Sequence, residues 1–101
     1  MHYKVSKEAR EDIREIGHYT QRKWGKDQRR NYLNDLDGKF ALLAENPLLG
    51  RHCDNIREGY FRFEYMSHVI FYRQEQGFIV ISRVIHQSRD VKTLLSETGK
   101  A

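Results

Sequence analysis

The sequence predicts an α+β domain in which a helical hairpin packs on one face of a mostly antiparallel sheet, in the order β-αα-βββ. Three observations predict it. Apolar residues recur at helical spacing through the first half of the chain. A glycine divides that half and the only proline ends it. The second half turns to short runs of aromatic and β-branched residues. With 101 residues there is room for one core, so residues 1–101 form a single domain.

Residues 2–5, "HYKV", form a short N-terminal strand. Ser6 is placed to cap a helix, because its hydroxyl accepts from backbone N–H groups left free at a helix start. Glu8 in the first turn suits the helix dipole. Ala9, Ile13, Ile16 and Trp24 follow at helical spacing, with Thr20 filling the missing turn. Gly25 ends this helix through a left-handed conformation. "KDQRR" (26–30) reads as the solvated start of the next one. Leu33, Leu36, Phe40 and Leu43 then make a continuous apolar stripe, which "ENP" (45–47) terminates because the residue before a proline avoids the helical region.

After a loop, "LLGRHCDN", come the strands "YFRFEY" (60–65), "HVIFYR" (68–73) and "FIVISRVI" (78–85). "QEQG" (74–77) is the hairpin turn between the last two, with Gly77 supplying a positive φ. Those two strands are mostly apolar on both faces, which places them centrally. Residues 90–96 form a short C-terminal helix, with Asp90 as its cap, or a tail.

Apolar residues at 39% and charged ones at 32% describe a compact core under a charged surface, not a disordered chain. No signal-like run opens the chain and no stretch approaches a membrane span, so a cytoplasmic protein is expected. The single cysteine, Cys53, excludes an internal disulfide framework and fits a reducing compartment. Eighteen Lys plus Arg against fourteen Asp plus Glu give a net charge of +4, which suits an acidic partner without specifying nucleic acid.

Chemistry concentrates in "SRVIHQSRDV" (82–91), where Val84 and Ile85 are hemmed by Arg83, His86, Arg89 and Asp90. Such a set serves either an active site or a charged binding edge. The neighbours His52, Cys53 and Asp54 offer three ligand types, but adjacent residues do not converge on one ion, so no metal or cofactor is expected. His68 reads as a sheet-edge residue, and Phe71 and Tyr72 as core. No Gly-rich phosphate loop, Ser-His-Asp set or thiol–His pair is present.

Five segments in order carry a family resemblance: "SKEAREDI", "YTQRKWG", "LLAENPLLG", "HVIFYR" and "RVIHQSRD". From Tyr3 to about Val91 the chain resembles the ParE branch of the RelE/ParE superfamily, the toxin halves of bacterial type II toxin–antitoxin pairs. The resemblance implies a RelE/ParE-like fold and a growth inhibitor that is silenced by a cognate antitoxin in a complex with two copies of each. It implies DNA gyrase as the target, with neither a membrane nor a specific nucleic-acid sequence as a partner.

Ile13, Tyr19, Trp24 and Tyr32 are the candidates for antitoxin contact, in a groove formed by the hairpin and a sheet edge. Arg83, His86, Arg89, Asp90, Leu94 and Leu95 are the candidates for target contact. The alternatives are a RelE-like endoribonuclease, with His86 as acid or base and Arg62 and Arg83 on the phosphate, or an inactive homologue. Asp54 and Glu58 do not reproduce the ribonuclease branch's carboxylate motif. The sequence departs from its relatives in "EGYFRF": Phe61 stands where many have arginine, and Arg62 follows it. Strand alternation puts Arg62 on the other face of the sheet unless a local bulge intervenes.

Overall fold

The computed structural model describes residues 2–89. The chain runs β1 (His2–Val5), α1 (Lys7–Trp24), α2 (Lys26–Glu45), β2 (Arg51–His52), β3 (Tyr60–Tyr65), β4 (His68–Glu75) and β5 (Phe78–His86). The five strands form one sheet in the order β1-β5-β4-β3-β2. β1 pairs parallel to β5, and every other pairing is antiparallel. β4 and β5 are central, as their two-sided apolar pattern requires. The expected helix over 90–96, with Asp90, Leu94 and Leu95, lies outside the described residues. Among the described residues no helix is long and apolar enough to cross a membrane.

Ser6 caps α1 as expected, accepting from the Ala9 N–H at 3.0 Å. Its hydroxyl also donates to the Ser82 carbonyl at 2.9 Å, and its N–H donates to the Ile81 carbonyl at 3.0 Å. The cap therefore pins the start of α1 to β5. Gly25, with φ 94° and ψ 173°, is the hinge of the hairpin. Its positive φ is as expected, but its ψ is extended, a combination that only glycine adopts freely.

Ala9, Ile16, Gly17 and Thr20 are the buried residues of α1, and Leu36, Phe40, Leu43 and Ala44 those of α2. Trp24 departs from the expected stripe: it is 69% exposed. Thr20 ends the buried face instead, its hydroxyl satisfied by the Ile16 carbonyl at 2.8 Å. β2 is a two-residue strand in a segment expected to be a loop, too short to show any period.

One register shift organises the sheet. Phe71 lies opposite Arg83, yet Tyr72 lies opposite Ile81, so Ser82 is an extra residue on β5. The bulge lets Ile79, Ile81 and Val84 all join the core under the helices. Ile85 then packs on the other face with Cys53, Tyr60, Val69 and Phe71. Between β3 and β4 the register is unbroken, so no bulge re-aims Arg62. Phe61 is buried under the hairpin, stacked on Tyr72 at 5.3 Å, while the Arg62 guanidinium lies over Phe71 on the opposite face.

Tyr72 ties this core to the loop after α2. Its hydroxyl donates to the Pro47 carbonyl at 2.8 Å and accepts from the Gly50 N–H at 2.9 Å. A Cβ on Gly50 would lie 2.5 Å from that hydroxyl and 2.8 Å from the Arg62 carbonyl. Tyr72→Phe is therefore expected to cost about 1–3 kcal/mol, because two half-buried backbone groups lose their partner. Gly50→Ala should lower stability as well, by displacing the same hydroxyl. Urea unfolding followed by circular dichroism checks both; unchanged midpoints would show that the loop does not depend on this hydroxyl.

Candidate functional site

β1 covers the edge of β5 only from Phe78 to Ile81. Beyond that point the edge meets no strand among the described residues, and α1 runs beside it. Between them opens a groove of about 600 Å³. One wall is α1 and the hairpin tip, with Asp12, Ile16, Tyr19, Trp24 and Tyr32. The other is the β3–β4 turn and the end of β5, with Met66, His68, Val84, His86 and Arg89. Three large apolar side chains stand exposed on its rim: Tyr19 at 52%, Trp24 at 69% and Met66 at 71%. Clustered exposure of this kind marks a contact surface rather than scattered surface hydrophobics.

Asp12 takes the place of the missing strand. Its carboxylate accepts from the Val84 N–H at 3.0 Å and from Arg83 Nε and Nη2 at 2.7 and 3.0 Å. The two side chains are only 14% and 15% exposed. Paired in this way, Arg83 is held firmly protonated, first by the hydrogen bond to Asp12 and then by its charge. Its guanidinium is thus committed inside the protein.

Next along the groove, His68 and His86 lie directly opposite each other on β4 and β5, with ring centroids 5.4 Å apart and planes 82° apart. His86 Nδ1 accepts from the Ser88 N–H at 3.1 Å and meets the Ser88 hydroxyl at 2.8 Å. An Nδ1 that accepts is unprotonated, so the ring carries its proton on Nε2. His68 Nδ1 lies 2.6 Å from the Tyr32 hydroxyl. Burial pushes the Tyr32 hydroxyl up to about 12, with a smaller push from Tyr65, so it stays protonated and is able to donate to this nitrogen. His68 is held below its ordinary value, chiefly by burial and then by His86, against a weaker pull from Asp12.

His68 is therefore not a sheet-edge residue. β4 lies between β3 and β5, and His68 opens it in a cross-strand row with Tyr65 and His86. The lowered His68 pKa sets an acid dependence. The unfolded chain protonates His68 near its ordinary value of 6.5, before the folded chain does. This contribution to stability is complete above that value and is lost as pH falls through the lower folded value. The melting temperature should drop across that window, and His68→Gln should flatten the drop. Equal acid slopes in both proteins would remove His68 as the cause.

The structure places the candidate residues as follows. Tyr19, Trp24 and Tyr32 line the groove, whereas Ile13 packs against the core beneath the hairpin. Arg83, His86 and Arg89 line the same groove, so two candidate sets that were separate in sequence share one cleft. The nuclease set does not converge. Arg62 flanks Phe71 on the face away from the helices and pairs with Glu64 at 3.2 Å, while His86 belongs to the row under the hairpin. His52, Cys53 and Asp54 diverge. His52 packs on Phe61 at 4.3 Å, and Cys53 is buried, its thiol pushed up by that burial. Asp54 accepts from the Gly59 N–H at 3.0 Å. Among the described residues no three potential ligands gather around one point.

Asp12 and Met66 escaped the sequence reading. Asp12 carried a signal, a carboxylate on the buried helical stripe between Ala9 and Ile16. Met66, at φ 56°, carried only its position between two strands.

A helical hairpin on a five-stranded sheet, with a cleft between α1 and the end of β5, defines the class: a small α+β domain with a groove lined by exposed apolar side chains. The model of the ParE toxin of type II toxin–antitoxin systems, parDE, matches residues 3–91. The chain belongs to the ParE toxin family. It is 41% identical over 90 residues to Toxin ParE1 of Mycobacterium tuberculosis, covering 88% of this chain and 92% of that one. It is 36% identical over 93 residues to Toxin ParE1 of Caulobacter vibrioides, covering 92% and 96%. Its fold is similar to a chain of the chromosomal ParDE TA system from P. aeruginosa, with a TM-score of 0.73 over 85% of this chain and 95% of that one, at 19% identity.

Proposed function

We propose that this ParE-type toxin inhibits DNA gyrase by binding, in the cytoplasm, and is held inactive by a cognate antitoxin whose acidic amphipathic segment fills the groove. The observation that carries the antitoxin reading is the groove itself, with Tyr19, Trp24 and Met66 exposed on its rim. A helix laid into such a cleft buries its apolar face there and turns its charges outward. Membership of the ParE family supports the same reading, and the toxin–antitoxin complex is expected to hold two copies of each chain.

The geometry favours binding over RNA cleavage. Arg83 is committed to Asp12, His86 Nδ1 is committed to Ser88, and Arg62 lies on another face. General acid–base cleavage needs such groups around one phosphate. Cells making the protein should show gyrase-dependent DNA damage and an unchanged RNA pattern, with or without His86→Ala. Site-specific cuts that vanish in His86→Ala would establish the nuclease instead.

Supercoiling by purified gyrase is the direct test. The full-length chain should inhibit it. Deleting residues 91–101 should abolish inhibition while keeping the fold and antitoxin binding, because Leu94, Leu95 and the charges near them serve the target. If the full-length chain leaves supercoiling and cleavage-complex levels unchanged, gyrase is not its target. Co-purification with the product of an adjacent reading frame tests the antitoxin separately.

A further inference from the structure

We propose that His68 and His86 form a carboxylate-binding subsite at the strand end of the groove, which takes an aspartate or glutamate side chain of the segment that fills it. The proposal rests on the reading of the groove as a partner's seat. It adds the chemistry by which one end of that seat recognises its occupant.

The geometry supplies the site. Both imidazoles line the groove from directly opposite positions on adjacent strands. Each ring is oriented through its Nδ1, by the Tyr32 hydroxyl for His68 and by Ser88 for His86. His86 therefore presents an Nε2–H donor, and His68 presents one when Tyr32 donates to its Nδ1; no protein acceptor among the described residues meets either Nε2. Two N–H donors lining one wall suit the two oxygens of a carboxylate. The same assignment disfavours a metal ion, which would need a lone pair on Nε2.

Charge complementarity selects the occupant. Arg89 adds positive charge at this end of the groove. The carboxylates facing the pair come from α1, Asp12 and Glu15, and Asp12 is already neutralised by Arg83. α2 presents Tyr32 and β3 presents Tyr65, both neutral, and β5 presents Arg83. A carboxylate placed between the imidazoles offsets the burial that keeps His68 neutral, so binding takes up protons. Affinity for an acidic segment should therefore rise from about pH 8 to about pH 6, the range in which histidine titrates.

The chain reports on this site through its own five histidines, since His2, His18 and His52 lie outside the groove and serve as internal controls. Sodium acetate replaces chloride at constant ionic strength while the imidazole C–H signals of the full chain are followed by NMR. The expected result is a saturable shift of His68 and His86 together, a raised His68 midpoint, and no saturable shift in the other three. His86 is exposed, so His86→Ala should leave the fold intact. It should weaken acetate binding about tenfold, as expected for losing one hydrogen bond to a charged group. His86→Gln, which keeps an N–H near the Nε2 position, should retain most of the binding.

The proposal is overturned if all five histidines move alike. It is also overturned if inorganic phosphate saturates the pair at lower concentration than acetate, which would assign the site to a phosphodiester ligand. Saturable acetate binding without affinity for the adjacent gene's product would leave the subsite standing and remove the antitoxin reading. Tight binding of that product with no pH dependence and no acetate site would do the reverse.

Discussion

Asp12→Ala is expected to destabilise the domain by about 3 kcal/mol, the combined cost of losing charge-assisted hydrogen bonds to Arg83 and the acceptor of a backbone N–H. That is a large share of the roughly 5–15 kcal/mol that holds a domain of this size together. The substitution takes two hydrogen bonds from the Arg83 guanidinium, which is 15% exposed, and the side-chain acceptor from the Val84 N–H, on a stretch of β5 edge that pairs with no other strand among the described residues. Asp12→Asn separates the two effects. Its amide oxygen still accepts from Val84, so it should recover part of the loss but not the part owed to the charge. Denaturant titration of the three proteins gives the ordering. If Asp12→Ala and the parent unfold at the same concentration, α1 is not anchored to β5 through this carboxylate.

Trp24→Ala should leave the fold untouched and weaken antitoxin binding by about 2 kcal/mol or more, roughly thirtyfold, in the manner of an aromatic anchor at the centre of an interface. The indole is 69% exposed in the free chain, so truncating it opens no cavity. In the complex it would be covered together with Tyr19 and Met66. Leu48 is a matched control, since it is 72% exposed but does not line the groove. Calorimetry with the purified antitoxin should show the loss for Trp24→Ala and none for Leu48→Ala. Equal affinities for Trp24→Ala and the parent would move the antitoxin's seat elsewhere.

Where local rules decide the conformation, the sequence was legible. The Ser6 cap, the Gly25 break and the Asn46-Pro47 stop bound both helices. The two-sided apolar character of β4 and β5 correctly put them in the middle of the sheet. What stayed hidden depends on partners far along the chain. The bulge at Ser82 is defined only against Phe71 and Tyr72 of the facing strand. Trp24 fits the helical period, and only the ending of the core at Thr20 shows that it points elsewhere. The Tyr72 hydroxyl is invisible as a loop anchor until Pro47 and Gly50 fold over it. The merger of the hairpin residues with the end of β5 into one groove needs the register of β1 against β5, because Tyr19 and His86 have no neighbourhood in the sequence. Arg83 reads in the sequence as a cation for a target or a phosphate, but its partner Asp12 lies on the first helix.

The parallel pairing of β1 with β5 also sets a timetable. Each residue of β1 waits for a partner made seventy-six positions later. α1 and α2 are local and form early, as helical hairpins do. Their apolar faces, with Ile16, Leu36, Phe40 and Leu43, then have no sheet to cover until β4 and β5 leave the ribosome. The groove does not exist before that moment, because one of its walls is β5, the last strand among the described residues. Throughout translation the nascent chain is therefore a sticky hairpin without its cleft, open to chaperones and not yet able to seat anything in the groove.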